Sequence, residues 1–180
     1  MMLAAVAVVA FVAVAGAVFW LSEQQARKMQ VGIPDFSSQE FRLTDQSGAS
    51  RSAADFAGAP VALFFGYTYC PDVCPMTLTL LANALDEVGD RGLDTAALQT
   101  IFVTVDAERD TPEQLAAYLS LFDTEVTGLT GSSEALVKVQ RDFGAYASRV
   151  EREDGVVLWD HTATVYLFDA DGRFTGTIVF

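Results

Sequence analysis

The sequence predicts an α/β fold in which a mixed sheet is flanked by helices and preceded by an N-terminal transmembrane helix. Three observations predict it. Leu3 to Leu21 reads LAAVAVVAFVAVAGAVFWL with no charged or strongly polar side chain, about the length that crosses a bilayer core as a helix. Val61–Tyr67 (VALFFGY) is a continuous apolar run of strand length, as expected of a central strand covered on both faces, and Leu98–Asp106 (LQTIFVTVD) reads as a second buried strand. Each of these runs is followed by a helix signal, so strands and helices alternate before a hairpin closes the chain.

Taken in order, the apolar N-terminal run ends in Phe19-Trp20, with Trp20 suited to a membrane interface. The alternative is a cleaved secretory signal with a small-residue site at Ala13-Val14-Ala15 or Ala15-Gly16-Ala17, but no basic stretch precedes the run. Residues 1–21 are therefore read as an anchor, 22–35 as a polar linker and 36–180 as the folded domain. Arg27 and Lys28 follow the anchor, and by the positive-inside rule they would hold the domain in the cytoplasm. The chain of 180 residues is 51% apolar and large enough for a full core. Its 11 basic and 24 acidic residues leave a formal charge of −13, which repels phosphate backbones and excludes nucleic acid as a partner.

Within the domain, Phe41–Thr44 running into Asp45-Gln46-Ser47-Gly48 predicts a strand and a turn. Beyond Pro75, Leu78, Leu81, Leu85 and Val88 recur at intervals of three and four, which predicts a helix over Met76–Val88 with Gly89 as its C-cap. Thr111-Pro112-Glu113 combines an N-cap hydroxyl, proline at the first position and an acid in the first turn, so a helix is expected from there to about Phe122. A short strand near Gly128–Thr130, a helix capped by Ser132 and running to Phe143, and strands at Ala147–Glu151, Thr162–Phe168 and Phe174–Phe180 complete the list. Asp169-Ala170-Asp171-Gly172 is the turn between the last two strands. A thioredoxin-like fold fits this order best, and in such sheets chemistry collects at the carboxyl ends of the central strands.

That is where VALFFGY delivers Cys70 and Cys74, both cysteines of the chain, in the stretch YTYCPDVCPMT. Cysteines separated by three residues lie one turn apart on a helical backbone, so both sulfurs can face a single soft metal ion, and two thiolates suit copper(I). A redox-active Cys70–Cys74 disulfide is the other reading, although the tighter C-x-x-C spacing is absent. Buried filler is a poor account of two cysteines flanked by Pro71, Asp72 and Pro75. The chain's one histidine, His161, stands in WDHTATVY just ahead of a strand. In thioredoxin-like folds the loop before the penultimate core strand faces the cysteine loop and usually carries a proline, but this chain has none after Pro112. His161 takes that place and can complete a site of two thiolates and one imidazole, suited to copper in either oxidation state.

FFGYTYCPDVCP, FVTVDAERDTPE, the Gly128–Gly131 turn and WDHTATVYLFDADG together resemble, in order and spacing, the Sco/SenC family of copper-binding assembly factors for cytochrome c oxidase. The resemblance covers about Phe36 to Phe180. It implies one copper ion on Cys70, Cys74 and His161, with Asp72 and Asp160 as the aspartates of the outer shell. An aspartate at a turn also caps backbone amides, and Arg109 and Asp110 are expected to fix a loop and a helix start rather than touch metal. The resemblance further implies a chaperone that receives copper from an upstream donor protein and delivers it to the dinuclear centre of oxidase subunit II. It implies a membrane anchor with the domain in the periplasm, against the Arg27-Lys28 reading. The absence of an Arg-rich, Ser-rich leader favours a bacterial inner membrane over a mitochondrion.

Three departures are visible. Tyr69 stands where the family often has histidine, Ala107 stands where it often has proline, and the sequence ends at Phe180 where the family usually continues into a helix, so one sheet face is expected to be less covered, although a truncated sequence accounts for that end equally well. Two functions remain open. A copper chaperone needs the imidazole of His161, whereas a thiol-disulfide oxidoreductase needs only Cys70 to attack and Cys74 to resolve. A peroxidase lacks its usual Thr or Trp/Gln partners here.

Overall fold

The computed structural model describes residues 32–179 and, of the segment ahead of them, Gly16 alone. The expected anchor, Gly16 aside, and the linker as far as Val31 lie outside the described residues. Among the described residues no helix is long and apolar enough to cross a membrane. The chain divides between Ile33 and Pro34, and the architecture below is that of the unit from Pro34 onward.

The elements follow in the order β1 (Leu43–Asp45), β2 (Ser50–Arg51), β3 (Val61–Gly66), α1 (Val73–Asp90), β4 (Gln99–Thr104), α2 (Pro112–Leu119), β5 (Val126–Thr130), α3 (Ser133–Asp142), β6 (Ala147–Glu151), β7 (Val157–His161), β8 (Thr164–Phe168) and β9 (Phe174–Val179), with 3-10 turns at Phe36–Ser38 and Ala53–Phe56. Seven strands form one sheet in the order β2-β1-β5-β4-β3-β8-β9, and β6 pairs with β7 in a separate hairpin. β3, β4 and β5 run parallel, joined through α1 and α2, while β1, β8 and β9 pair antiparallel with their neighbours. This is the expected α/β mixed sheet of thioredoxin-like kind.

The apolar runs become the centre of the sheet for the expected reason. All six residues of β3 are buried, and Phe64 faces Phe102 of β4 in register. α1 turns Cys74, Thr77, Leu78, Leu81 and Ala82 inward. Each fully buried Phe or Leu contributes about 1.5–3 kcal/mol of burial free energy, so this layer holds the cysteine loop on a stiff base. A second apolar cluster gathers round Phe36, whose ring meets Phe56, Phe143 and Phe168 at centroid distances of 5.5 to 6.0 Å. Gly172, at φ +77°, closes the β8–β9 turn, and its carbonyl accepts from the Phe36 amide at 2.7 Å. A Cβ there would meet Ser37 at 2.7 Å, so the turn needs glycine for both conformation and space.

Several boundaries differ from expectation. α1 begins at Val73, not beyond Pro75, because a proline in the first turn replaces an amide that has no partner inside the helix. Cys74 is therefore helical. Gly89 lies inside α1, and the left-handed glycine after the helix is Gly92, at φ +82°. α2 ends at Leu119 rather than near Phe122, with Ser120 bonding back to Ala116 and Ala117. β7 was not expected as a strand. The chain passes from it into β8 across Thr162-Ala163, with no glycine or proline to mark the change of sheet.

Candidate metal centre

Two elements deliver the donors. β3 ends at Gly66, the chain runs through Tyr67, Thr68 and Tyr69, and Cys70 falls on the loop while Cys74 falls in the first turn of α1. His161 is the last residue of β7, paired across the hairpin with Ala147. The sulfurs of Cys70 and Cys74 and a ring nitrogen of His161 lie within 4.8 Å of one another. Cys74 is buried, Cys70 and His161 are partly buried, and both cysteines are free thiols. A cavity of about 230 Å³ opens onto Cys70 and His161, lined in part by Tyr67, Pro71, Asp72, Trp159 and Asp160.

The sulfur of Cys74 needs room, and Gly66 supplies it. A Cβ at Gly66 would lie 2.8 Å from Cys74 Sγ and 2.7 Å from the Phe102 ring. On the other side, His161 Nε2 lies 3.3 Å from Cys74 Sγ, and Nδ1 lies 3.0 Å from the Thr162 carbonyl oxygen. A carbonyl only accepts, so Nδ1 carries the proton and donates it. In the neutral ring Nε2, the atom facing the sulfurs, then has the lone pair. The imidazole is further held edge-on by the rings of Tyr67, at 5.7 Å, and Phe64, at 6.1 Å.

The two thiols are electrostatically unequal. Hydrogen bonding from Cys74 leads in favouring the Cys70 thiolate. It is opposed by burial and assisted by His161 and by the amides of Asp72 and Cys74, and the Cys70 pKa comes down to about 4. The Cys74 amide donates to Cys70 Sγ at 3.4 Å, at the N-terminus of α1 where a negative sulfur is favoured. The Cys74 thiol is pushed up, first by its hydrogen bond to Cys70 and then by burial. The pair thus holds one proton, on the buried sulfur.

The other expected residues surround this centre in different ways. Asp72 occupies the N-cap of α1, exposed, with no side-chain cap hydrogen bond. Asp160 is exposed on β7, one residue before His161, and the partner of the His161 ring proton is the Thr162 carbonyl. Asp110 is fully buried and accepts from the Thr68 amide at 3.0 Å, from the Thr68 hydroxyl at 2.6 Å and from the Thr104 hydroxyl. It ties the cysteine loop to β4, and burial leads in raising its pKa. Tyr69, beside Cys70, is exposed and stacked on Arg109. The Thr162 carbonyl had no signal in the sequence, since any residue offers one.

A thioredoxin-like sheet that presents two thiols and an imidazole nitrogen round one point is a soft-metal-binding domain by the chemistry of its donors. The chain belongs to the SCO1/SenC family, whose profile matches residues 33–180. It is 39% identical over 152 residues to the mitochondrial SCO2 homolog of Danio rerio, spanning 84% of this chain and 52% of that protein. The chain spans about half the length of the curated relatives it matches. Among solved structures, copper-bound ScoI of Bradyrhizobium japonicum is 41% identical with a TM-score of 0.72, covering 78% of this chain and 88% of that one. BsSco, described as a member of the Sco family of cytochrome c oxidase assembly proteins and carrying a disulfide switch, has a TM-score of 0.61, covering 77% of this chain and 80% of its own. At 23% identity it supports the fold alone.

Proposed function

We propose that this protein is a copper carrier, not an enzyme, that takes copper from an upstream donor protein and delivers it to the dinuclear copper centre in subunit II of cytochrome c oxidase during assembly. The single observation that carries this reading is the placement of His161: with Nδ1 held by the Thr162 carbonyl, Nε2 is the ring atom that faces the two sulfurs. A metal ion uses that nitrogen as a donor, whereas disulfide exchange can proceed on the two thiols alone. Two sulfurs and one imidazole nitrogen within 4.8 Å fit one copper ion, with Cys70, Cys74 and His161 as the ligands.

Copper here is cargo. Cys70, partly exposed and ionised, is the first sulfur an incoming ion meets, and Cys74 closes behind it by giving up its proton. Release runs the other way, by exchange of thiolates around the ion with no change in its charge. Asp72 and Asp160 at the rim of the cavity add negative charge where a cation enters.

The second reading is thiol-disulfide exchange on the same centre, and the Cys70 thiolate favours it. Cys70 would attack a target disulfide, Cys74 would displace the mixed disulfide, and the Cys74 proton would go to the departing thiolate. The target is reduced by two electrons as the Cys70–Cys74 pair is oxidised. Cells carrying His161→Ala separate the two. The carrier predicts an oxidase short of copper; a fully active oxidase in those cells, beside an inactive one in Cys70→Ala cells, selects the reductase.

The same proposal holds the domain on the periplasmic side of a bacterial inner membrane, anchored by the apolar run Leu3 to Leu21. The full chain should stay in the membrane fraction through a carbonate wash, and protease added to intact spheroplasts should digest the domain. Protection from that protease contradicts the orientation.

A further inference from the structure

We propose that Arg109 is a positioning residue for the metal site: its guanidinium clamps the hairpin that ends in His161 against the loop that carries Cys70. The inference rests on the copper-carrier reading above.

The hairpin needs a clamp. β6 and β7 form a two-stranded sheet outside the main one, and neither strand contains a buried residue. Two-stranded hairpins are marginal on their own, and this one has no core of its own to fix it. A hollow of about 140 Å³, lined by Leu136, Val137 and Gln140 of α3 and by Ala147, Arg149 and Trp159 of the hairpin, shows that packing against α3 is incomplete. At the site end the hairpin is closed by Tyr146 and Thr162, whose backbones and the Thr162 hydroxyl bond at 2.9 Å. Its far end is closed on itself by Arg152 and Val156, and Arg109 ties Val157 there to the loop after β4.

Arg109 lies on the loop between β4 and α2 and reaches both halves of the site. Its Nη1 donates to the carbonyl of Val157, the first residue of β7, at 3.0 Å. Its Nε donates to Asp106, a buried carboxylate just beyond the end of β4, which fixes the guanidinium plane. Its Cζ lies over two aromatic rings, 4.8 Å from the Tyr69 centroid and 5.9 Å from that of Tyr67. Tyr69 precedes Cys70 directly, and Tyr67 stands edge-on to His161. One planar group therefore holds the strand that ends in the imidazole and the two rings that lead to the first sulfur.

Only arginine combines these contacts. Its fork makes two directed bonds in the plane while its faces remain free to stack, whereas a lysine ammonium is a point charge that cannot do both.

The test is a double-mutant cycle on the full-length protein in detergent, read by competition for copper(I) with a chelator. Arg109→Ala should weaken copper binding about tenfold, as loss of an orienting outer-shell contact does, and should weaken it no further when His161 is already alanine. Arg109→Lys, which keeps a charge beside Asp106 and so the fold, should show the same dependence on His161. Nitrogen hyperfine coupling to bound copper(II) should fall in both variants. Wild-type affinity and coupling in Arg109→Lys, or an equal loss with and without His161, overturns the proposal while leaving the carrier reading intact. A His161→Ala protein with wild-type affinity overturns both.

Discussion

His161 donates its Nδ1 proton to the carbonyl of Thr162 at 3.0 Å, and this turns Nε2 toward Cys74, 3.3 Å from its sulfur. The bond is local, between neighbours in sequence, yet it decides the chemistry of a site assembled from segments far apart in the chain. With the opposite tautomer the ring would offer the sulfur a proton and no lone pair.

The unequal thiols give the first prediction. Cys70, with its pKa at about 4, is ionised throughout the neutral range. Its alkylation by iodoacetamide should be nearly independent of pH from about 6 to 8 and should fall only as pH approaches 4, whereas an ordinary thiol of pKa about 8.5 slows tenfold per unit below its pKa. Because the Cys74 thiol is the leading cause of the low value, Cys74→Ala should move the midpoint upward. A rate that climbs tenfold per unit from pH 6 to 8 in the wild type contradicts this picture of the pair.

Gly66 gives the second. A methyl group there would press on Cys74 Sγ at 2.8 Å and on the Phe102 ring at 2.7 Å. Gly66→Ala should cost about 1–3 kcal/mol in unfolding free energy, the usual range for overpacking a tight core, and should lower copper affinity by displacing one sulfur. Thermal unfolding and chelator competition on the same protein check both effects. Unchanged affinity in a destabilised but folded variant would mean that the sulfur has room to shift without leaving the site.

Much of this arrangement was legible in the residues, for physical reasons. VALFFG could be read as a central strand because burial on both faces leaves no alternation, and Cys70, Cys74 and His161 stood out because so few side chains in this sequence can hold a soft metal. The helical setting of Cys74 was harder to read. Pro75 looked like a barrier, whereas a first-turn proline costs the helix nothing. β7 was hidden because the change of sheet at Thr162-Ala163 uses no turn residue. The reach of Arg109 was hidden too: its contacts with Val157 and Tyr69 are 48 and 40 residues distant in sequence, and a long side chain leaves no periodic trace of where it ends.

The account stands most directly on one measurement, a copper titration of the full-length protein in detergent against a copper(I) chelator, repeated for Cys70→Ala, Cys74→Ala and His161→Ala. It predicts one copper per chain in the wild type, loss of binding with either cysteine, and a drop of at least about ten- to a hundredfold with His161→Ala, on the order seen for ligand-orienting contacts or larger. With copper(II), a sulfur-to-metal charge-transfer band should appear in the wild type and vanish with either cysteine. Full copper loading in the protein lacking both Cys70 and Cys74 would contradict the account, because the metal would then be held elsewhere.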